Sequence, residues 1–323
     1  MMRHLIGMLL AAALALGAAP ASAQTYPTRP IKLLVAYPPG GASDLIARLF
    51  AEALSKRLGQ PVVVENRAGA NGNIAGEVAA HAEPDGYTLL LGPSSVFTIN
   101  PHLYVKMQFD PLKDLVPIAS LIQNELVLTA NKELTAGMGF KAFIAFARNA
   151  RPPLFYASIG NGSEHQLAME LLKRAASIEM THVAYKGGGP AALGVIGGSA
   201  AAMFGGGSVV SLVKSGQLHA LAISGPRRSA ELPDLPTIGE FYPGYDVTLW
   251  QGLFVTAGTP PAIVARLREA ATAIRVQPDI AQKLAAAGAG EPWVLGEAEF
   301  AARIRADSEK YRRVLEQIGA KVQ

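Results

Sequence analysis

Short apolar runs alternate with stretches of helical period along most of this chain. Ile31 to Tyr37 is mostly apolar, stops at Pro38-Pro39-Gly40-Gly41, and predicts a buried strand. In the next stretch Leu45, Ile46, Leu49, Phe50, Ala53 and Leu54 share one helical face. Arg48, Glu52, Ser55 and Lys56 share the other, and Gly59 stops the pattern. Pro61 to Glu65 predicts a second strand, Asn66 to Asn73 a Gly/Asn loop, and Ile74 to His81 a helix. Pro84-Asp85-Gly86 is a turn before a third strand, Tyr87 to Leu91. Strands alternating with helices imply a parallel sheet covered on both faces.

The pattern then restarts. Leu126 to Ala130, Leu154 to Ala157, His182 to Tyr185 and Leu218 to Ile223 predict strands, with helices over Phe140–Asn149, Glu164–Ala176 and after Pro190. The residues show no tandem repeat, only a repeat of architecture, and two α/β lobes account for it. Leu249 to Val255 predicts a further strand. Thr259 is placed as N-cap of the next helix, with proline in its first turn, and Phe300 to Ile318 predicts a charged amphipathic terminal helix. The C-terminal part is expected to rejoin the first lobe, with crossing strands near Leu126–Ala130 and Trp250–Val255. Lobe 1 is then 24–125 with 250–323, and lobe 2 is 126–249.

Three strand-to-helix turns are rich in glycine: Pro38–Ser43, Ser158–Ser163 and Lys186–Pro190. Ligands of open α/β sheets bind where strands end and helices begin, and helix N-termini present unpaired N–H groups that attract anions. A single such turn is a tight connection that needs glycine anyway. Three of them, split between two lobes, favour a shared site for an acid. Asp44 is better read as balancing the first helix turn than as a ligand contact. Ser94 and Ser95 point into the same cleft or cap the next helix. His165 touches the ligand or orients a neighbour, Tyr185 walls the cleft, and Trp250 belongs to hinge or core.

Composition narrows the function. Arg3 followed by an apolar stretch from Leu5 to Ala19 and Ala21-Ser22-Ala23 reads as an export signal, 1–23, cleaved after Ala23. With no cysteine the chain is not a lipoprotein and carries no disulfide. The formal charge of +4 falls to +3 once Arg3 is removed, a mild attraction for anions. Basic residues occur as isolated pairs such as Lys56-Arg57 and Arg227-Arg228, which gives nucleic-acid binding no support. No Gly-x-Ser-x-Gly elbow, His-Glu-x-x-His, P-loop lysine or dinucleotide fingerprint occurs. His81, His102, His165, His182 and His219 lack ligand spacing on one helix face, so neither a metal nor a cofactor is expected.

Several motifs occur in a fixed order. They are Tyr26-Pro27-x-Arg29-Pro30, Tyr37-Pro-Pro-Gly-Gly-Ala-Ser-Asp44, Val64-Glu-Asn-Arg-Ala-Gly-Ala-Asn-Gly72, Pro84-Asp-Gly-Tyr-Thr-Leu-Leu90, Asn100-Pro101 and Gly160-Asn-Gly-Ser163 with His165. Tyr185-Lys-Gly-Gly-Gly-Pro190, Leu232-Pro-Asp-Leu-Pro-Thr-Ile238, Trp250-x-Gly252-Leu-Phe254 and Gly258-Thr-Pro260 follow. With these motifs over nearly the whole mature chain, it resembles the Bug-type (TctC) periplasmic solute receptors of tripartite tricarboxylate transporters.

The resemblance implies a two-lobed flytrap of the periplasmic binding protein fold, α/β in class. Each lobe would be a mostly parallel sheet flanked by helices, joined by two crossing hinge strands. It implies no catalysis. A di- or tricarboxylate or aromatic acid would be gripped between the lobes by a monomer in the periplasm, for delivery to membrane permease subunits. The ligand contacts carried over are Tyr37, Pro39, Gly40, Gly41, Ser43 and Asp44 from the first turn, with Ser94 and Ser95. From the second lobe they are Ser158, Gly160, Asn161, Gly162, Ser163 and His165, then Tyr185, Gly187, Gly188 and Gly205. Relatives often carry an aspartate after the Met-Phe that here is Met203-Phe204. Gly205-Gly206-Gly207 stands in its place, which argues against amino-acid ligands and leaves room for a bulkier acid. The alternatives are a sensor subunit reporting to a membrane kinase and a periplasmic hydrolase using Ser43 or Ser163.

Overall fold

The computed structural model describes residues 26–286 and 289–321. The export segment and its cleavage site lie outside the described residues. The chain first lays down β1 (Ile31–Val35), α1 (Ala42–Leu58), β2 (Val62–Asn66), α2 (Asn73–Ala80), β3 (Thr88–Pro93), the short helices α3 (Ser94–Thr98) and α4 (Asn100–Leu103), and β4 (Leu115–Glu125). It crosses at Leu126 and builds β5 (Val127–Asn131), α5 (Phe140–Asn149), β6 (Leu154–Ser158), α6 (Glu164–Ala176), β7 (Met180–Ala184), α7 (Gly188–Ile196), β8 (Ala202–Gly205), α8 (Gly207–Lys214) and β9 (Leu218–Ile223). It returns as β10 (Thr248–Thr256), α9 (Pro261–Arg275), α10 (Pro278–Ala286), β11 (Glu291–Pro292) and α11 (Glu297–Ile318).

Two sheets result, ordered β11-β4-β10-β3-β1-β2 and β7-β6-β8-β5-β9. Each holds a parallel trio, β3-β1-β2 and β7-β6-β8. The strands that follow the crossings run antiparallel: β10 to β3 and β4, and β5 to β8 and β9. The two crossings are tied together by Ser224, which is fully buried. Its Oγ accepts the Leu126 N–H at 2.8 Å and donates to the Val247 carbonyl at 2.6 Å. Its backbone bonds the same two residues.

Apolar side chains fill both faces of each sheet. In the first lobe, β1, β3 and β4 pack under α1 and α9 through Leu33, Leu91, Phe50, Leu54 and Leu267. The opposite face carries an aromatic cluster in which Phe97 and Phe254 stack at 3.9 Å beside Trp250, Trp293 and Phe300. Trp250 is core, its Nε1 donating to Asp307 at 3.0 Å. A separate seam joins the lobes: Ile99 and Leu103 of the first meet Leu167 of α6 and Tyr311, Val314 and Leu315 of α11.

Three local expectations change. Leu45 is exposed, whereas Ala47 and Ala51 are buried; the inward face of α1 takes small residues where it lies close on the sheet. Thr259 is not the N-cap, because its hydroxyl donates to the Thr256 carbonyl at 2.8 Å and the helix starts after Pro260. β4, which the apolar pattern did not signal, carries Pro117 and Ser120 within an eleven-residue strand.

Candidate ligand-binding cleft

The carboxyl ends of the two parallel trios face each other, which is where ligands bind in open α/β sheets. Ser94, after β3, places its Oγ 3.2 Å from Glu164 Oε1 at the start of α6. Gly162 lies so close to Leu103 of the first lobe that a Cβ there would come within 2.2 Å of it. Between the N-terminal turn of α1 and the side of α8 a cavity of about 510 Å³ remains, lined by Gly40, Gly41, Ala42 and Leu45 on one wall and by the α8 face Gly207, Val210, Ser211 and Lys214 on the other, with Glu231, Ala285 and Ala286 also lining it.

The first wall is held by Asp44. The Gly40 N–H donates to its Oδ2 at 3.1 Å, and Arg48 bonds both carboxylate oxygens at 3.0 Å. Asn66 Nδ2 reaches Oδ1 at 3.0 Å and also the Tyr37 carbonyl. Hydrogen bonding from Arg48, joined by Gly40 and Asn66, holds the Asp44 carboxyl down at about 2. Asp44 therefore fixes the turn, in which Gly40 takes φ +86°, a conformation that suits glycine. The N-cap of α1 is Gly41, with no side-chain cap, so the N–H groups of the first turn have no carbonyl one turn earlier. Ser43 Oγ accepts from Gln251 of β10 at 2.9 Å, tying this wall to the strand after the crossing. Pro39 is exposed at the turn's outer edge.

The second wall is braced internally. Ser158 Oγ donates to the Gly160 carbonyl and accepts its N–H, at 3.0 and 3.1 Å. The Gly162 N–H goes to Gln166 Oε1 at 2.6 Å, and Ser163 caps α6 through the Gln166 N–H while its hydroxyl donates to Gly160. Asn161 is exposed at the tip. His165 is buried, its Nδ1 has no protein partner, and burial pushes its imidazole down to about 4. Gly187, at φ +106°, and Gly188 open α7 without a side-chain cap, and the ring of Tyr185 packs on Gly194. Gly205 does not open into the cleft: it closes β8, and a Cβ there would sit 2.3 Å from Val209. The open space expected at this glycine run lies over Gly206, the uncapped N-cap of α8.

Sequence reasoning missed Glu164. A glutamate in a first helical turn reads as an ordinary complement to the helix dipole. Nothing local shows that Ser94 and Ser95 of the other lobe close over it. Burial raises the Glu164 carboxyl above its usual range, and burial together with that carboxylate raises the facing Tyr37 phenol. Hydrolase chemistry finds no constellation here. Ser43 and Ser163 are engaged as described. His182 lies 2.7 Å from Ser158 Oγ, but its other nitrogen faces the Gln166 amide and not a carboxylate.

The family described as tripartite tricarboxylate transporter family receptor matches residues 46–320. Protein BugT of Bordetella pertussis is 34% identical over 308 residues, covering 94% of each chain. Among solved structures, R. palustris Rpa4515 with adipate superposes at TM-score 0.80 with 30% identity, covering 92% of this chain and all of that one. MatC from Rhodopseudomonas palustris with bound malate gives 0.75 and 30%, covering 90% of this chain and all of that one. The family is one of receptors and not of enzymes, and its solved neighbours include periplasmic binding protein BugD, at TM-score 0.76 with 27% identity, and a TctC solute binding protein from Polaromonas, at 0.77 with 29%.

Proposed function

Since the chain belongs to the tripartite tricarboxylate transporter receptor family, we propose that it captures an organic carboxylate in the interlobe cleft and delivers it to the permease subunits of such a transporter. The observation that carries this reading is one cavity between the lobes, lined on one wall by the uncapped N-terminus of α1 and on the other by α8, whose uncapped start contributes Gly207. Each terminus presents about half a positive charge, so the pair complements roughly one carboxylate. An anion held by both walls favours the closed arrangement because it gains contacts there that the open one lacks. Adipate and malate in the neighbours support a carboxylate of this size.

A thermal-shift panel of mono-, di-, tri- and aromatic carboxylates tests the capture step. A ligand that binds only the native state raises stability by about 2.7 kcal/mol at a hundred times its Kd. Stabilisation by at least one acid is the expected result, and silence across the panel removes the reading. Co-purification of membrane permease subunits with the acid-loaded protein tests delivery.

A further inference from the structure

Between the lobes, the carboxylate of Glu164 on α6 occupies a donor supplied by the other lobe. Ser94 donates its hydroxyl at 3.2 Å, and Ser95 lies beside the same group with its own hydroxyl directed to the Asn71 carbonyl at 3.4 Å. Glu164 is 6% exposed. The titratable groups that face it are the phenols of Tyr37 and Tyr311, so no cation among its described partners balances its charge. This place is linked to the anion-attracting turn through two consecutive residues of β10. The Trp250 N–H contacts Ser94 Oγ at 3.4 Å, and the next residue, Gln251, holds Ser43.

We propose that Glu164 restricts the cleft to acids bearing a single carboxylate, because it takes the Ser94 hydroxyl and the space beside Ser95 that a second ligand carboxylate would need. The inference rests on the carboxylate-capture reading and narrows its ligand class. The α1 and α8 termini together complement about one negative charge. A second ligand carboxylate must either evict Glu164, leaving it buried without partners, or lie beside it as a like charge. The preferred ligand is thus a carboxylate head on an uncharged alkyl or aromatic body. In that respect this chain differs from the neighbours solved with adipate and malate.

Calorimetric titration of two matched pairs, hexanoate against adipate and benzoate against terephthalate, tests this at pH 7.5. The wild-type protein is expected to bind the monoacid of at least one pair tenfold or more tighter than its diacid. Glu164→Ser frees the Ser94 hydroxyl and the space beside Ser95, and should move the diacid-to-monoacid ratio at least tenfold towards the diacid. Glu164→Gln keeps that place filled without the charge and should move it less. Because the ratio is taken within each protein, a loss of folded fraction cancels, and the wild-type ratio by itself separates the two ligand classes. A wild-type protein that binds diacids as tightly as monoacids overturns the inference and leaves carboxylate capture standing, as does a ratio unchanged in Glu164→Ser. Silence towards all four acids overturns both.

Discussion

The turns at Pro38–Asp44 and Ser158–Ser163 have similar compositions and opposite hydrogen-bond economies. In the second, Ser158, Ser163 and Gln166 take up the N–H groups of Gly160, Gly162 and the first helical turn. In the first, one carboxylate fixes Gly40, and the N-terminus beyond it is left uncapped. Glycine content therefore does not tell which turn offers donors to a ligand. The side chains within about one helical turn of the glycines decide it, by capping the N–H groups or leaving them open.

Acid should separate the two walls most widely. The His165 imidazole is held at about 4, so the unfolded chain takes up its proton first, and stability falls as pH drops from about 6.5 to about 4, by about 3 kcal/mol. Burial pushes His102 and His182 the same way, so His165→Gln should flatten the slope of urea-unfolding free energy in this window without abolishing it. The Asp44 carboxyl is held at about 2, so its contribution is complete above its ordinary value near 3.8 and disappears only below that. A wild-type slope confined to pH below 4 would reverse the order assigned to the two walls.

Asp44→Ala comes next. Losing charge-assisted bonds to Gly40, Arg48 and Asn66 should cost about 2–3 kcal/mol and release the turn, so both urea midpoint and ligand affinity should fall. An unchanged affinity would show that the turn holds its shape without this brace. Ser158→Ala strips the Gly160 N–H and His182 of a partner, and about 1–2 kcal/mol should be lost with a smaller change in affinity. If affinity falls more than in Asp44→Ala, the second wall is the one that grips. Gly41→Val is the gentlest on the fold. Gly41 has a negative φ, and a Cβ there meets only the Pro38 carbonyl at 3.9 Å, so stability should stay within about 0.5 kcal/mol. Carboxylate affinity should still drop tenfold or more, because the side chain crowds the open N-terminus; equal affinity would remove this turn from the site.

Much of this arrangement is legible in the residues. The α5, α6 and β9 segments are readable from periodicity, because each carries an apolar face with clear stops. The glycine turns are readable as strand-to-helix connections for the same reason. β4 is not, since Pro117, Ser120 and Gln123 break the alternation in a strand whose place is set by β10. Gly205 looks open in sequence and is sealed by Val209, a contact made by the following helix. Glu164 is hidden for a deeper reason: its partners, Ser94 and Ser95, come from the other lobe, and local spacing carries no information about which residues meet when two lobes close.

The position of β10 bears on how the molecule is assembled. Every strand of the second sheet lies within residues 127–223, so that sheet draws on one continuous stretch. The first sheet has β10 between β3 and β4, supplied by residues 248–256. Chains emerge from the ribosome N-terminus first. The second lobe is thus complete while β3 and β4 still expose unpaired edges, which are sites of wrong pairing until a strand covers them. The half of the molecule that begins first is sewn shut last, and a chain cut before residue 248 would keep one whole lobe and leave the other split down its centre.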